Sequence, residues 1–231
     1  MNPSEFDKFA DEYHALHAAN VRLSGESPEY FAAYKVREVA ADYGAALPQV
    51  QAILDFGAGV GSSVAHFQRH FPAARLTCVD VSDRSRDVAL ERCGTALDYR
   101  LMEHGRVPVE DAAVDLVFAA CVFHHIDAAE HVALLRELGR TLRPGGRIVV
   151  FEHNPLNPLT VRTVQDCAFD ENAVLLRSGR LTRELAAAGF GRLRTRYTLF
   201  FPHALRWLRG LERSLWWNPL GAQYYVSGTR P

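Results

Sequence analysis

The sequence predicts an α/β protein, built as a mainly parallel β-sheet with helices packed on both faces. Three observations carry that expectation. Short apolar runs alternate with helix-like stretches between about residues 51 and 154. The run DLVFAACVF (115–123) is apolar almost throughout, as in a central strand covered on both sides. ILDFGAGVGSS (53–63) sets glycines between a strand-like run and a helix-like one, the turn expected where a sheet meets a polar ligand.

The elements follow in order. Phe6, Phe9, Tyr13 and Leu16 recur three or four residues apart and predict a helix in the opening segment. After the Ser-Gly-Glu-Ser-Pro turn at 24–28, a second helix is expected from about Pro28 to Tyr43. QAILDF (51–56) reads as a buried strand and SSVAHFQRHF (62–71) as a helix opening on the glycines. RLTCVDV (75–81) is the next strand and DRSRDVALERC (83–93) the next helix. A helix is expected over 128–142, a turn at LRPGG (142–146), and a strand over RIVVFEHN (147–154). NPLNP (154–158) reads as a loop, and RSGRLTRELAAAGF (177–190) as a helix ending near Gly189. RLRTRYTLFF (192–201) and AQYYVSGTR (222–230) are strand-like and suit an antiparallel edge joined through a helical stretch at 203–217. A single domain, 1–231, is expected: a helical N-terminal lid (1–48), a cofactor-binding core (50–155), then substrate-side additions and a terminal strand pair (156–231).

Bulk composition narrows the classes. At 231 residues, 48% hydrophobic and 23% charged, the chain reads as an ordinary soluble globular protein. No apolar run approaches the ~18 residues of a membrane-spanning helix. The acidic, charge-interrupted opening MNPSEFDKFADEYHALH does not read as a secretory signal. Cys78, Cys93, Cys121 and Cys167 are widely separated, so a disulfide framework is not expected and a reducing, cytoplasmic setting is. From Arg180 to Pro231 nine arginines face two acids, a local charge of +7 that leaves −8 on residues 1–179. That asymmetry follows no nucleic-acid motif, so no nucleic-acid partner is expected.

The glycine stretch admits several readings. The phosphate-loop signature needs Gly-Lys-Ser/Thr, yet Gly61 is followed by Ser62 with no lysine near. The dinucleotide fingerprint needs glycine or alanine where this chain has Ser62. Asp80 ends the next strand 19 residues after Gly61, where an acid meets ribose hydroxyls in doubly wound folds. A plain turn with a helix-capping aspartate is the alternative.

ILDFGAGVGSS, CVDVS (78–82), VDLVFAACVFHHI (114–126) and LRPGGRIVVFEH (142–153) occur in an order and spacing that resemble the class I S-adenosylmethionine-dependent methyltransferases. The resemblance implies a Rossmann-like class I methyltransferase fold, with a seven-stranded, mostly parallel sheet whose last strand is antiparallel. It implies S-adenosyl-L-methionine as cofactor and S-adenosyl-L-homocysteine as product. Gly57 and Gly59 are then expected beside the methionine part, Asp55 near its amino group, and Asp80, with Val81 following, at the ribose. Glu103, in place of the commoner aspartate, or His104 is expected near the adenine, Tyr13 closing over the cofactor, and Cys121 lining its site.

Methyl transfer from a sulfonium is an in-line displacement that mostly needs alignment and exclusion of water. A hydroxyl acceptor also needs a base. His125 and His124 after one strand, and Glu152 and His153 after the next, fall where ligands sit in open α/β sheets. His125 is favoured as base, and no metal-motif spacing is present. The expected acceptor is a small molecule, sugar or lipid-linked compound, methylated on oxygen. A catalytically silent cofactor-binding domain and an NAD-dependent oxidoreductase are the rival readings. FFPHALRWLRGLERSLWWNPLG (200–221) carries leucines at helical spacing with arginines and three tryptophans. Core packing, a dimer contact, a substrate lid and peripheral membrane contact through 203–217 are all compatible with it.

Overall fold

A computed structural model of the chain describes residues 24–167 and 172–231. The expected helix around Tyr13 lies outside the described residues. Helix α1 (Pro28–Tyr43) starts where the Ser27 side chain accepts from the Tyr30 amide and Pro28 supplies a fixed φ, and it stops at Gly44. Strand β1 (Ala52–Phe56) is buried along its whole length. It is followed by α2 (Val64–His70), β2 (Arg75–Asp80) and α3 (Asp83–Cys93), whose first turn is capped by the Ser82 hydroxyl. Then come β3 (Asp98–Leu101), β4 (Val114–Ala120), α4 (His131–Thr141) and β5 (Leu142–His153). The remainder is α5 (Pro158–Gln165), α6 (Ser178–Ala187), β6 (Gly191–Thr198) and β7 (Gln223–Thr229).

The seven strands form one sheet in the order β3-β2-β1-β4-β5-β7-β6. β1 to β5 pair in parallel, whereas β7 runs antiparallel to both β5 and β6. The fold is the expected one. Two apolar layers sandwich the sheet. On one face Val36 and Val39 of α1 meet Ile53, Phe118 and Phe151. On the other, Leu135 and Leu138 of α4 meet Leu54 and Val117. Chain order reverses between β1 and β4, and the crevice beyond their carboxyl ends is where an open α/β sheet receives a ligand.

Four local expectations need correction. LRPGG is not a turn between elements but the bulged start of β5. Leu142 pairs with Val114, the register shifts before Leu116, and Gly145 absorbs the bulge at φ 79°. The strand expected over 115–123 ends at Ala120, and Phe123–His125 forms a 3₁₀ turn instead. The expected NPLNP loop is present over 154–157, and only its last residue, Pro158, belongs instead to a helix, α5, capped by Asn157. The helical stretch expected over 203–217 is a 3₁₀ helix that is broken at Leu205 and already ends at Ser214 (His203–Ser214).

Candidate active site

The site grows out of the β1 turn. Gly57 and Ala58 donate their amides to the Val79 carbonyl at 2.8 and 3.2 Å, which draws the turn over the end of β2. Gly57 has φ 71°, and a Cβ there would lie 2.3 Å from Val122, so this position admits only glycine. Gly59, at φ 50°, borders open space instead. The bare backbone at Gly59 therefore lines a cleft whose other walls are Phe31, Ala32 and Lys35 of α1, together with Asp55.

Asp80 ties the turn to the next one. Its Oδ2 accepts from Gly59 N at 2.8 Å, and its Oδ1 from Val81 N at 2.7 Å and Ser82 N at 3.1 Å. The cap of α3 is thus Ser82, whereas the Asp80 carboxylate ties the Gly59 turn to the chain entering that helix. Tyr99 of β3 adds a hydrogen bond to the Gly59 carbonyl at 2.8 Å. Met102 donates to the Asp80 carbonyl, so the chain after β3 passes the same rim, with Glu103 and His104 exposed beyond it. His104 has φ 50°, and Glu103 bridges to Arg106.

Asp55 is the unusual group of the cleft. It is buried, and its Oδ2 has no hydrogen-bond partner among the described residues. Burial, reinforced by the Asp80 charge and opposed by Lys35, pushes its carboxyl up to about 7. A buried, unpartnered carboxylate oxygen facing a lysine across a cleft suits a ligand with an ammonium and a carboxylate on one carbon. The α-amino-acid end of S-adenosylmethionine is such a group, so the residues present fit the cofactor implied by the sequence.

Beyond the cleft, β4 and β5 bring the histidines together. Glu152 is fully buried and saturated: Oε1 accepts from Val122 N at 3.2 Å and Phe123 N at 2.8 Å, and Oε2 meets His124 Nδ1 at 2.6 Å. Burial would raise its pKa, but the charge and hydrogen bond of His124, the charge of His153 and the Phe123 amide hold the carboxyl below its usual value. His125 is half-buried with its ring centroid 4.1 Å from that of His124, and the His153 ring centroid lies 5.3 Å from that of His124. All four expected catalytic positions are thus adjacent, with Glu152 placed as a holder of His124.

Cys121 follows β4 in a left-handed conformation, φ 60°, that a non-glycine residue adopts only under constraint. Its Sγ receives Lys35 Nζ at 3.4 Å and Gln223 Nε2 at 3.7 Å. Burial would raise the thiol, yet the His153 and Lys35 charges and a His153 hydrogen bond outweigh it, and the pKa falls to about 7. Lys35, Tyr99 and Gln223 were not legible as site residues. A signal existed for Lys35 alone, since this arginine-rich chain has only two lysines.

Comparison with known proteins finds methyltransferases. Residues 54–150 match the family model described as a methyltransferase domain. The chain is 29% identical over 109 residues to a ubiquinone/menaquinone biosynthesis C-methyltransferase of Desulfotalea psychrophila, covering 47% of this chain and 44% of that protein. It is 36% identical over 104 residues to a malonyl-[acyl-carrier protein] O-methyltransferase of Dechloromonas aromatica, covering 45% and 37%. The chain therefore spans less than half the length of these curated relatives. In overall fold it is similar to a SAM-dependent methyltransferase structure from Thermotoga maritima, with TM-score 0.68, 18% identity and 99% of each chain covered. It is also similar to a phosphoethanolamine N-methyltransferase of Haemonchus contortus bound to S-adenosylhomocysteine, with TM-score 0.56, 18% identity, and 78% and 49% covered.

Proposed function

We propose that this chain, whose residues 54–150 match the family model described as a methyltransferase domain, is an S-adenosylmethionine-dependent enzyme that methylates an oxygen of a small-molecule, sugar or lipid-linked acceptor. The observation that carries the reading is the buried, unpartnered Asp55 Oδ2 opposite Lys35 in a cleft floored by bare glycine backbone. When bound, the cofactor supplies a methyl group already activated by its sulfonium charge.

The chain's own residues do the rest. Asp55 accepts the ammonium of the methionine part, Lys35 faces its carboxylate, and the Gly57–Gly59 backbone lets both approach closely. Asp80 holds the ribose hydroxyls, with Val81 beside it, and Glu103 or His104 meets the adenine edge. Cys121 lines the wall between cofactor and acceptor. Glu152 fixes the turn after β4 and the orientation of His124, against which the His125 ring is packed. His125 takes the proton of the acceptor hydroxyl while water is kept from the reacting atoms. His153 hydrogen-bonds the Cys121 thiol and lies near the His124 ring. Glu152 is a positioning residue: it is fully buried, and its two oxygens hold the Val122 and Phe123 amides and the His124 ring.

The test is turnover of a panel of acceptor hydroxyls, read as S-adenosylhomocysteine formed. His125→Ala is expected to lower turnover by about a hundredfold with cofactor affinity unchanged. Equal turnover in the variant would remove His125 as the base. The names of the curated relatives, one acting in quinone biosynthesis and one on a malonyl-[acyl-carrier protein], place extended and lipid-soluble acceptors first in that panel.

A further inference from the structure

The methyl-transfer reading leaves the 200–221 segment unexplained. Nine large apolar residues are strongly exposed among the described residues, and eight of them fall in two short stretches, 156–159 and 205–220. Trp207 is 76% exposed, Leu159 75% and Trp217 63%, and Leu211, Trp216 and Leu220 stand out beside them. Scattered single apolar residues are ordinary on a surface, but a gathered set marks an interaction site.

The two stretches are held against each other. Asn154 donates to the Pro219 and Gly221 carbonyls at 2.8 and 2.7 Å, and Asn157 donates to the Leu220 carbonyl at 2.7 Å. The backbone at Trp216 is fixed as well, since Tyr197 N donates to its carbonyl at 2.8 Å. These apolar side chains project from a built platform rather than from a loose strap.

Charge selects the partner. Within 203–217 the one acid, Glu212, points inward, where it accepts from the Tyr34 hydroxyl at 3.1 Å and from the amides of Phe200 and Phe201. Arg206 and Arg213 are exposed, whereas Arg209 is tied inward to Glu26 at 2.7 Å. The outward ionic groups of this helix are therefore all basic, among exposed tryptophan and leucine. Aromatic and aliphatic groups entering the acyl boundary, with arginines at headgroup level, are the chemistry of an interfacial helix. No described helix is long and apolar enough to cross a membrane.

We infer that the face formed by residues 156–159 and 205–220 docks on an anionic lipid bilayer. Its placement serves the site: the 156–159 stretch leaves β5 directly after His153, and the 3₁₀ helix rests through Glu212 on α1, which walls the cofactor cleft.

All three tryptophans of the chain lie in this face, so selectively excited tryptophan fluorescence reports on it alone. The full-length chain is titrated with vesicles of phosphatidylcholine, and with vesicles of equal parts phosphatidylcholine and phosphatidylglycerol, while co-sedimentation is measured in parallel. The expected result is a blue shift and co-sedimentation with the anionic vesicles only, weakened by salt. Quenching by brominated acyl chains is expected in the bound state. Trp207→Ala/Trp217→Ala alters only exposed side chains and is expected to lower partitioning by roughly tenfold or more, with an unchanged thermal melt. No shift and no co-sedimentation with either vesicle overturns the inference. A blue shift that follows protein concentration without vesicles also overturns it, in favour of a second copy of the chain. Neither outcome bears on cofactor binding, which calorimetry reads separately.

Discussion

Glu152→Ala is expected to cost about 3–5 kcal/mol of folding stability and to lower turnover beyond what the lost stability explains. The substitution strips three donors of one buried acceptor: the amides of Val122 and Phe123 and the His124 ring. Those groups shape the turn that also packs Val122 against Gly57, so the defect reaches both sides of the site. A thermal melt lowered by about 10 °C and a loss of turnover in protein that remains folded would be the signature. Glu152→Gln keeps the shape and loses the charge, so it should fall between the two. The pH dependence has a defined sign. The folded carboxyl titrates below its ordinary 4.5, so its stabilisation is present above that value and is lost as pH falls further below it. The acid limb of the stability profile should therefore be shallower in Glu152→Gln than in the wild type.

Asp55→Asn should move stability and binding in opposite directions. The native carboxyl is raised from 3.8 to about 7, so its relative contribution is most favourable below 3.8 and is lost as pH rises through 7. Removing the charge should therefore stabilise the cofactor-free protein at pH 8. Cofactor binding should weaken by about 2–5 kcal/mol, because a buried charge partner for the ammonium is gone. In the wild type, binding at pH 6 should release close to one proton per chain from Asp55. Calorimetry in buffers of different ionisation heat measures that release, which should fade above pH 8 and vanish in Asp55→Asn. A variant with reduced stability and wild-type affinity would show that Asp55 is an ordinary core residue.

What was legible in the sequence was whatever is encoded locally. The alternation of β1, α2, β2 and α3 is written in residue order, and so are the glycine turn and the strand-end acid Asp80. Register with β4 and an adjacent arginine hydrogen bond, from Gly145 N to the Arg230 carbonyl, turn Pro-Gly-Gly at 144–146 into a strand bulge, which local turn chemistry cannot anticipate. The site residues that escaped notice do so for the same reason. Lys35 meets Cys121 across 86 residues and Gln223 meets it across 102, so neither contact exists before the sheet is assembled. The inward turn of Glu212 is likewise tertiary, since it depends on Tyr34, 178 residues away. Only that turn reveals the basic, apolar outer face of the 3₁₀ helix.

In the proposed mode of action, the cleft over Gly57 and Gly59 holds a sulfonium nucleoside through Asp55. Isothermal titration of the full chain with S-adenosylmethionine and, separately, with NAD tests it most directly. Saturable binding of S-adenosylmethionine that is lost in Asp55→Asn, with no heat from NAD, is the predicted result. Binding of NAD without S-adenosylmethionine would contradict it.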